Sequence, residues 1–280
     1  MWFVLSLIVG LSFTINRLII RAVFTKNSNP MAFGAVHELL AGLFLLPIGL
    51  YFFSLPQSPT TWIALILGIF FIFLTDLFAF LAIRHLEISL FQIISQLRHI
   101  VVLFGAFFFF AEPITLIKVI SIFFIMLGIY IAVKGKSHFH KNKATFYALL
   151  STISISLGVL FIKMASVDVS PAFSAALSFI IGGFLIMLIL LIRGEHPKNF
   201  IIKEHKKELV IAAGFFSLFE LTLFAALAIG EASKVTPVTQ STMIFTLIGG
   251  YLFLRERDHM KQKIAGSILI AFGIILLYFF

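Results

Sequence analysis

The sequence predicts an all-α integral membrane protein of ten transmembrane helices, arranged as two inverted five-helix repeats. Three observations carry this. Hydrophobic residues fill 61% of the 280 positions and charged residues only 12%, too little polar surface to coat a water-soluble globule of this size. Apolar runs of about 20 residues, long enough to cross roughly 30 Å of hydrocarbon, follow one another along the chain. The chain also matches itself, half against half, at a nearly fixed offset. A bilayer admits only helices or closed barrels, and runs this continuous lack the alternation of barrel strands.

In order, the first span (1–24) lacks the basic leading segment and small-residue cleavage site of a signal peptide, so it reads as a membrane helix. The second (31–54) carries His37 and Glu38, and the third (60–82) is apolar except at Asp76. The fourth (88–110) contains the polar stretch "FQIISQLRHI" and then a run of phenylalanines. The fifth (115–134) leads into the basic connection "KGKSHFHKNK" (134–143). The second set follows as 144–165, 170–193, 208–229, 234–254 and 262–280, with Glu220 in the eighth span and "KVTPVTQSTMIFT" opening the ninth. No stretch remains for a soluble domain. The divisions are 1–135 for the first repeat, 136–143 for a basic cytoplasmic linker and 144–280 for the second repeat.

The net charge of +9 raises the question of a nucleic-acid partner, and the placement of the charges answers it. Of 21 Lys and Arg, 16 fall at connections on one side of the predicted bundle, while Lys118, Lys163 and Lys234 lie near the other face and Arg17 and Arg98 lie within spans. Basic connections stay cytoplasmic, which puts both termini outside. The basic balance is topology with some attraction to anionic lipid, not a nucleic-acid patch. The absence of cysteine excludes disulfides and thiolate chemistry.

At an offset of 144, Asp76 pairs with Glu220, Gln96 with Gln240, Gly105 with Gly249 and Glu112 with Glu256. At 145, Ser121 and Gly128 meet Gly266 and Gly273; at 141, Pro30 and Gly42 meet Pro171 and Gly183. Five spans per half make the second half enter the membrane from the opposite side. Inverted repeats of this kind recur in secondary transporters, which bind substrate near the midplane between the halves.

The residues closing the fourth span of each half, "GAFFFFAEPIT" (105–115) and "GGYLFLRERD" (249–258), each precede a glycine-containing span, "ISIFFIMLGIYIAV" and "IAGSILIAFGIILL". In these features the chain resembles the EamA-like members of the drug/metabolite transporter superfamily over nearly its whole length. It departs from them in two ways: the proline common in the middle of the fourth helix of each half is absent, with His99 and Met243 near that slot, and the Gly before the final Glu is Ala111 and Arg255. The resemblance implies a central cavity lined by helices 1, 3 and 4 and their counterparts 6, 8 and 9.

A charge at the bilayer centre costs at least about 2.5–3.5 kcal/mol, so embedded ionisable groups need partners, water or a function. Arg17, His37, Glu38 and Asp76 fall at a similar depth, on the order of 10 Å in, and read as a gating or proton-coupling group, with snorkelling of Arg17 or a structural ion pair as the plain alternatives. Arg98, His99 and Glu220 lie nearer the middle, where an Arg98–Glu220 pair would bridge the repeats; the plain reading is a fixed salt bridge, and a packing histidine for His99. Two Arg stand against three acids. The surplus carboxyl suits proton coupling or a cationic cargo. Gln92, Gln96, Arg98, His99, Glu220, Thr236, Thr239 and Gln240 are the candidates for a wet, substrate-binding face, although hydroxyls commonly bond back to their own helix. Most of the 36 Phe are lipid-facing or filler, and the repeat glycines serve close helix approach.

Together these predict an alternating-access secondary transporter of small organic solutes (amino acids, related metabolites or drugs) in a bacterial inner membrane, exporting by proton exchange, with uptake or exchange of a nucleotide-sugar-like metabolite as the alternative. An intramembrane enzyme would need a nucleophile–base or metal-ligand arrangement, and neither HExxH nor GxSxG occurs. The expected partners are the small-molecule cargo and the lipid bilayer, with no nucleic acid, cofactor or metal, in a monomer or weak homodimer.

Overall fold

The computed structural model describes residues 1–23, 30–83, 91, 94–133, 143–194, 206–253 and 260–279. All regular structure among them is helical: α1 (Trp2–Val23), α2 (Pro30–Tyr51), α3 (Pro59–Ile83), α4 (Arg98–Phe110), α5 (Leu116–Val133), α6 (Lys143–Ala165), α7 (Pro171–Ile192), α8 (Lys206–Ile229), α9 (Ala232–Val238), α10 (Ser241–Phe253) and α11 (Met260–Phe279). Seven of these are long and apolar enough to cross a membrane, and α4 and α5 are shorter apolar helices. The predicted ninth span is two helices, α9 and α10, and the second span ends at Tyr51 rather than 54. Ser54 is used otherwise: its hydroxyl accepts the Ser170 amide at 3.0 Å.

Helix starts follow local chemistry. The Ser58 hydroxyl accepts the Thr61 amide at 3.1 Å ahead of α3. Ser170 accepts the Phe173 amide at 3.2 Å ahead of α7, whose first residue is Pro171. Both satisfy orphan amides of a first helical turn. At the other end of α4 the chain stops on Ala111 with φ 53°, and the Glu112 amide reaches back to the Ala106 carbonyl at 3.2 Å. This is a glycine-type helix stop made by an alanine.

The most extensive packing runs across the halves. Helix α3 lies closest to α6 and, in the equivalent pairing, α8 lies closest to α1; α4 touches α6 as α10 touches α1; α2 packs on α7 and α5 on α11. Glycines make this approach possible, as the sequence predicted. A Cβ on Gly128 would meet Ile270 Cγ1 at 2.9 Å, and one on Gly273 would meet Ile125 Cγ1 at 2.7 Å; likewise Gly105 faces Leu160 and Gly249 faces Leu18. These contacts are repeat images of each other. The dry core is centred on Leu160, Phe179, Phe224 and Leu227, while Phe108, Phe123, Phe184 and Phe272 are exposed where lipid would lie.

Two bundles follow from the pairing: α3, α4 and α6 on one side, and α1, α8 and the α9–α10 pair on the other. Both termini share one end with the turns after α2, α4, α6 and α8. Phe3 meets Tyr278 at 4.3 Å between ring centroids, Trp2 flanks Gly230, and Glu112 bonds the Ala232 amide.

Candidate functional site

The site begins on α1, where Gly10, Thr14 and Arg17 fall on one face at helical spacing. Gly10 leaves room for Ser241. Thr14 Oγ1 lies 2.9 Å from the Gly10 carbonyl of its own helix and 3.2 Å from the Thr242 carbonyl of α10, the two acceptors its one hydrogen can reach, and 3.3 Å from Thr246 Oγ1. Three residues on, the exposed Arg17 guanidinium lies 4.7 Å from the centre of the Phe13 ring, and Arg17 and Asp76 of α3 interact electrostatically.

Glu38 of α2 and Glu220 of α8 join this group. Both are buried, and the charges of Glu38, Asp76 and Glu220 act on one another. Glu38 fits because α7 carries Gly182, where a Cβ would stand 2.9 Å from Glu38 Oε2. Four helices, α1, α2, α3 and α8, thus bring one guanidinium and three carboxyl groups to one locus, with α7 leaving room for Glu38. Its walls are aromatic: Phe13 against Phe219 at 4.7 Å, Phe219 against Phe216 at 5.5 Å, and Phe216 against Phe179 at 4.7 Å.

His37 plays a different part. Asn16 Nδ2 lies 2.8 Å from His37 Nε2 and 2.9 Å from the Ala212 carbonyl, so the amide donates to both. The imidazole ring stacks between Phe33 at 5.7 Å and Phe216 at 4.7 Å. Asn16, at 1% exposure, was not among the sequence candidates, and neither was Ser217, whose hydroxyl donates to the Ala41 carbonyl of α2 at 2.9 Å. The i, i+4, i+7 stripe on the first span was the available signal for Thr14.

The second polar locus is the helix break. At Gln96–Leu97 and at Thr239–Gln240 the helices tighten into i→i+3 hydrogen bonds: the His99 amide donates to the Gln96 carbonyl at 3.1 Å, and the Met243 amide to the Gln240 carbonyl at 2.9 Å. These two bonds are repeat equivalents. Short 3₁₀ stretches within longer helices mark hinges or strained sequence. His99 Nε2 lies 3.2 Å from Gln96 Oε1, so the ring donates there and leaves Nδ1 a buried acceptor with no partner; Arg98 Nε is likewise buried and unpartnered.

Several expectations resolve differently. No Arg98–Glu220 ion pair occurs among the described residues; Glu220 lies with Asp76 and Glu38. The hydroxyls of Thr236 and Thr239 donate to their own helix, to the Ala232 carbonyl at 2.9 Å and the Thr236 carbonyl at 2.7 Å, because a buried hydroxyl without a neighbour finds the nearest carbonyl one turn back. Gln240 is buried at the break. Gln92 and Glu256 lie outside the described residues.

With this geometry in view, the model of the EamA-like transporter family matches residues 1–134 and 142–279. The chain belongs to the EamA-like transporter family. This EamA-like protein is similar to the Uncharacterized transporter YvbV of Bacillus subtilis (strain 168), at 25% identity over 256 residues, 89% of this chain and 82% of that one. It is also similar to the Uncharacterized protein MJ1333.1 of Methanocaldococcus jannaschii, at 33% identity over 138 residues, 49% of this chain and 96% of that protein. That relative is thus about the size of one half. A solved crystal structure shares the fold, with a TM-score of 0.81 and 14% identity, covering 98% of this chain and 95% of that one. Membership in the family makes this an integral membrane protein and points to transport rather than catalysis.

Proposed function

We propose that this EamA-like protein is an alternating-access secondary carrier that exports small organic solutes, amino acids or related metabolites and drugs, in exchange for protons, from a bacterial cytoplasm with its basic connections inside. The observation that supports this reading is the cluster of Arg17, Glu38, Asp76 and Glu220. Embedded ionisable groups are costly, and here the acids outnumber the guanidinium and reach one locus from both halves. Among the described residues Glu38 and Glu220 hold no ion pair or hydrogen bond, which suits them to take a proton or a cargo amine. The neighbouring phenylalanines suit an apolar or cationic cargo portion.

The test is counterflow and efflux of a labelled metabolite panel in proteoliposomes, with and without a pH gradient. Flux dependent on the gradient is expected for the native protein, and Glu220→Gln and Arg98→Ala should reduce it to the level of empty liposomes. Flux that ignores the gradient, or survives Glu220→Gln, refutes proton coupling through this cluster. Uptake or exchange of a nucleotide-sugar-like metabolite is the alternative, separated by the same panel.

A further inference from the structure

The end of the molecule that carries both termini holds a polar assembly that none of the above uses. Glu112, in the turn after α4, is 7% exposed. Its carboxylate accepts the Ala232 amide at 2.8 Å, the Ser233 amide at 3.1 Å and the Ser233 hydroxyl at 2.5 Å. Lys163, in the last turn of α6, stands 3.3 Å from the same carboxylate. Its ammonium also donates to the Gly230 carbonyl and, at 3.4 Å, to the Leu227 carbonyl, while covering the Phe110 ring at 5.3 Å. A cation therefore meets the carboxyl end of α8 and an anion meets the amino end of α9, each the sign those helix ends favour. Beside them Lys118 of α5 pairs with Glu231.

The bundle assignment gives this its meaning. Glu112 and Lys163 belong to the α3–α4–α6 bundle, and the α8–α9 turn belongs to the other. By contrast, Asp168, which accepts from Thr61 at 2.8 Å and from the Gln57 amide at 3.3 Å, ties the α6–α7 turn to α3 and so stays within or beside one bundle. An opening between the bundles at this end must break the Glu112 and Lys163 contacts and can leave the Asp168 contacts whole.

We infer that Glu112 and Lys163 form a clasp on the α8–α9 turn that keeps the carrier closed at the end bearing its termini, and that each transport cycle opens and remakes it. This rests on the alternating-access reading above. Burial of the Glu112 carboxyl opposes its ionisation, but the Ser233 hydroxyl and amide, Lys163 and the Ala232 amide outweigh this and hold it below the ordinary carboxylate range. The charged groups around it are Lys163 from α6, Lys118 from α5, Glu231 in the turn and Lys234 from α9, so the clasp stays charged down to acid pH.

The chain has no cysteine, which allows paired spin labels at Val4→Cys and Val167→Cys, both exposed, one on each bundle at this end. Their distance is measured in the full-length protein in lipid nanodiscs. A short, narrow distribution is expected for the otherwise native chain, a longer population in Glu112→Gln and in Lys163→Met, and recovery of the short one in Glu112→Asp. Distributions for Glu112→Gln and Lys163→Met that superimpose on the native one overturn the clasp. Acidification of the labelled native chain to well below the usual carboxylate range repeats the test without substitution: the longer population should grow, and a distribution that stays short refutes the inference. Solute flux on the same samples separates the two readings. Native flux with unmoved distances sinks the clasp alone, whereas moved distances without flux for any solute sink the carrier reading and with it the transport-cycle role, leaving only a latch between the two bundles.

Discussion

Ala111 adopts φ 53° and ψ 29°, a left-handed conformation that costs an L-residue roughly 1–2 kcal/mol more than glycine. The resembled family places Gly at this point, and the geometry of the stop explains why. Ala111→Gly should therefore raise the apparent melting temperature, a gain on the order of 1 kcal/mol, measured by thermal unfolding in detergent. Asn16 offers the opposite case. Its amide reaches both His37 Nε2 and the Ala212 carbonyl; the latter keeps its own helical amide in α8, so Asn16→Ala costs mainly the buried His37 contact, roughly 1–3 kcal/mol. A melting temperature for that variant equal to the native one would count against the bonding described. Glu112 has a pH signature. A carboxyl whose pKa falls on folding contributes stability that is complete above its unfolded value and disappears as pH falls through its folded one. The difference in stability between the native chain and Glu112→Gln should be constant near neutrality and vanish only at strongly acid pH, as followed by unfolding across a pH series.

At the scale of elements, the glycines of α5 and α11 set how near those helices lie. A Cβ on Gly266 would reach Ala132 Cβ at 2.7 Å and the Ala132 amide at 3.0 Å, and backbone cannot yield as a flexible side chain does. Gly266→Val should cost at least about 1–3 kcal/mol through overpacking, read as a loss of monodisperse protein on size-exclusion chromatography. Gly214→Ala, where a Cβ would meet nothing within 4 Å, is the control expected to behave as native. The broken spans are also an element-scale feature. Pro237 lies inside α9 and cannot supply the amide of a regular turn, yet the fourth span tightens at the equivalent Gln96 with no proline at all.

At the scale of the molecule, the largest contacts join the two halves, α3 with α6 and α1 with α8, so the core is completed only where the halves meet. Topology is testable at the same scale because every introduced cysteine is the only one. An impermeant thiol reagent added outside intact cells should label Val167→Cys and spare Ser137→Cys, and the reverse result would invert the proposed orientation.

The sequence by itself determined the class, the ten spans and the repeat, and marked the repeat glycines as points of close helix approach, because lipid solubility, length and residue spacing are legible along the chain. Asp76, Glu220, Glu38 and Arg17 were legible as costly residues for the same reason. Which of them meet was decided only by the tertiary structure. Glu220 lies with Asp76 and Glu38 and not against Arg98, and Glu112 grips a turn 120 residues away, because partner choice depends on how helices from opposite halves rotate and pair. The hydroxyls of the ninth span illustrate the limit most plainly: their number was visible in the chain, but only the fold showed that Thr236 and Thr239 bond to their own helix and that Thr14, which bonds the Gly10 carbonyl of its own helix at 2.9 Å, also comes within 3.2 Å of the Thr242 carbonyl of α10. A side chain's identity fixes what it can bond to, and the packing of its neighbours fixes what lies within about 3 Å of it.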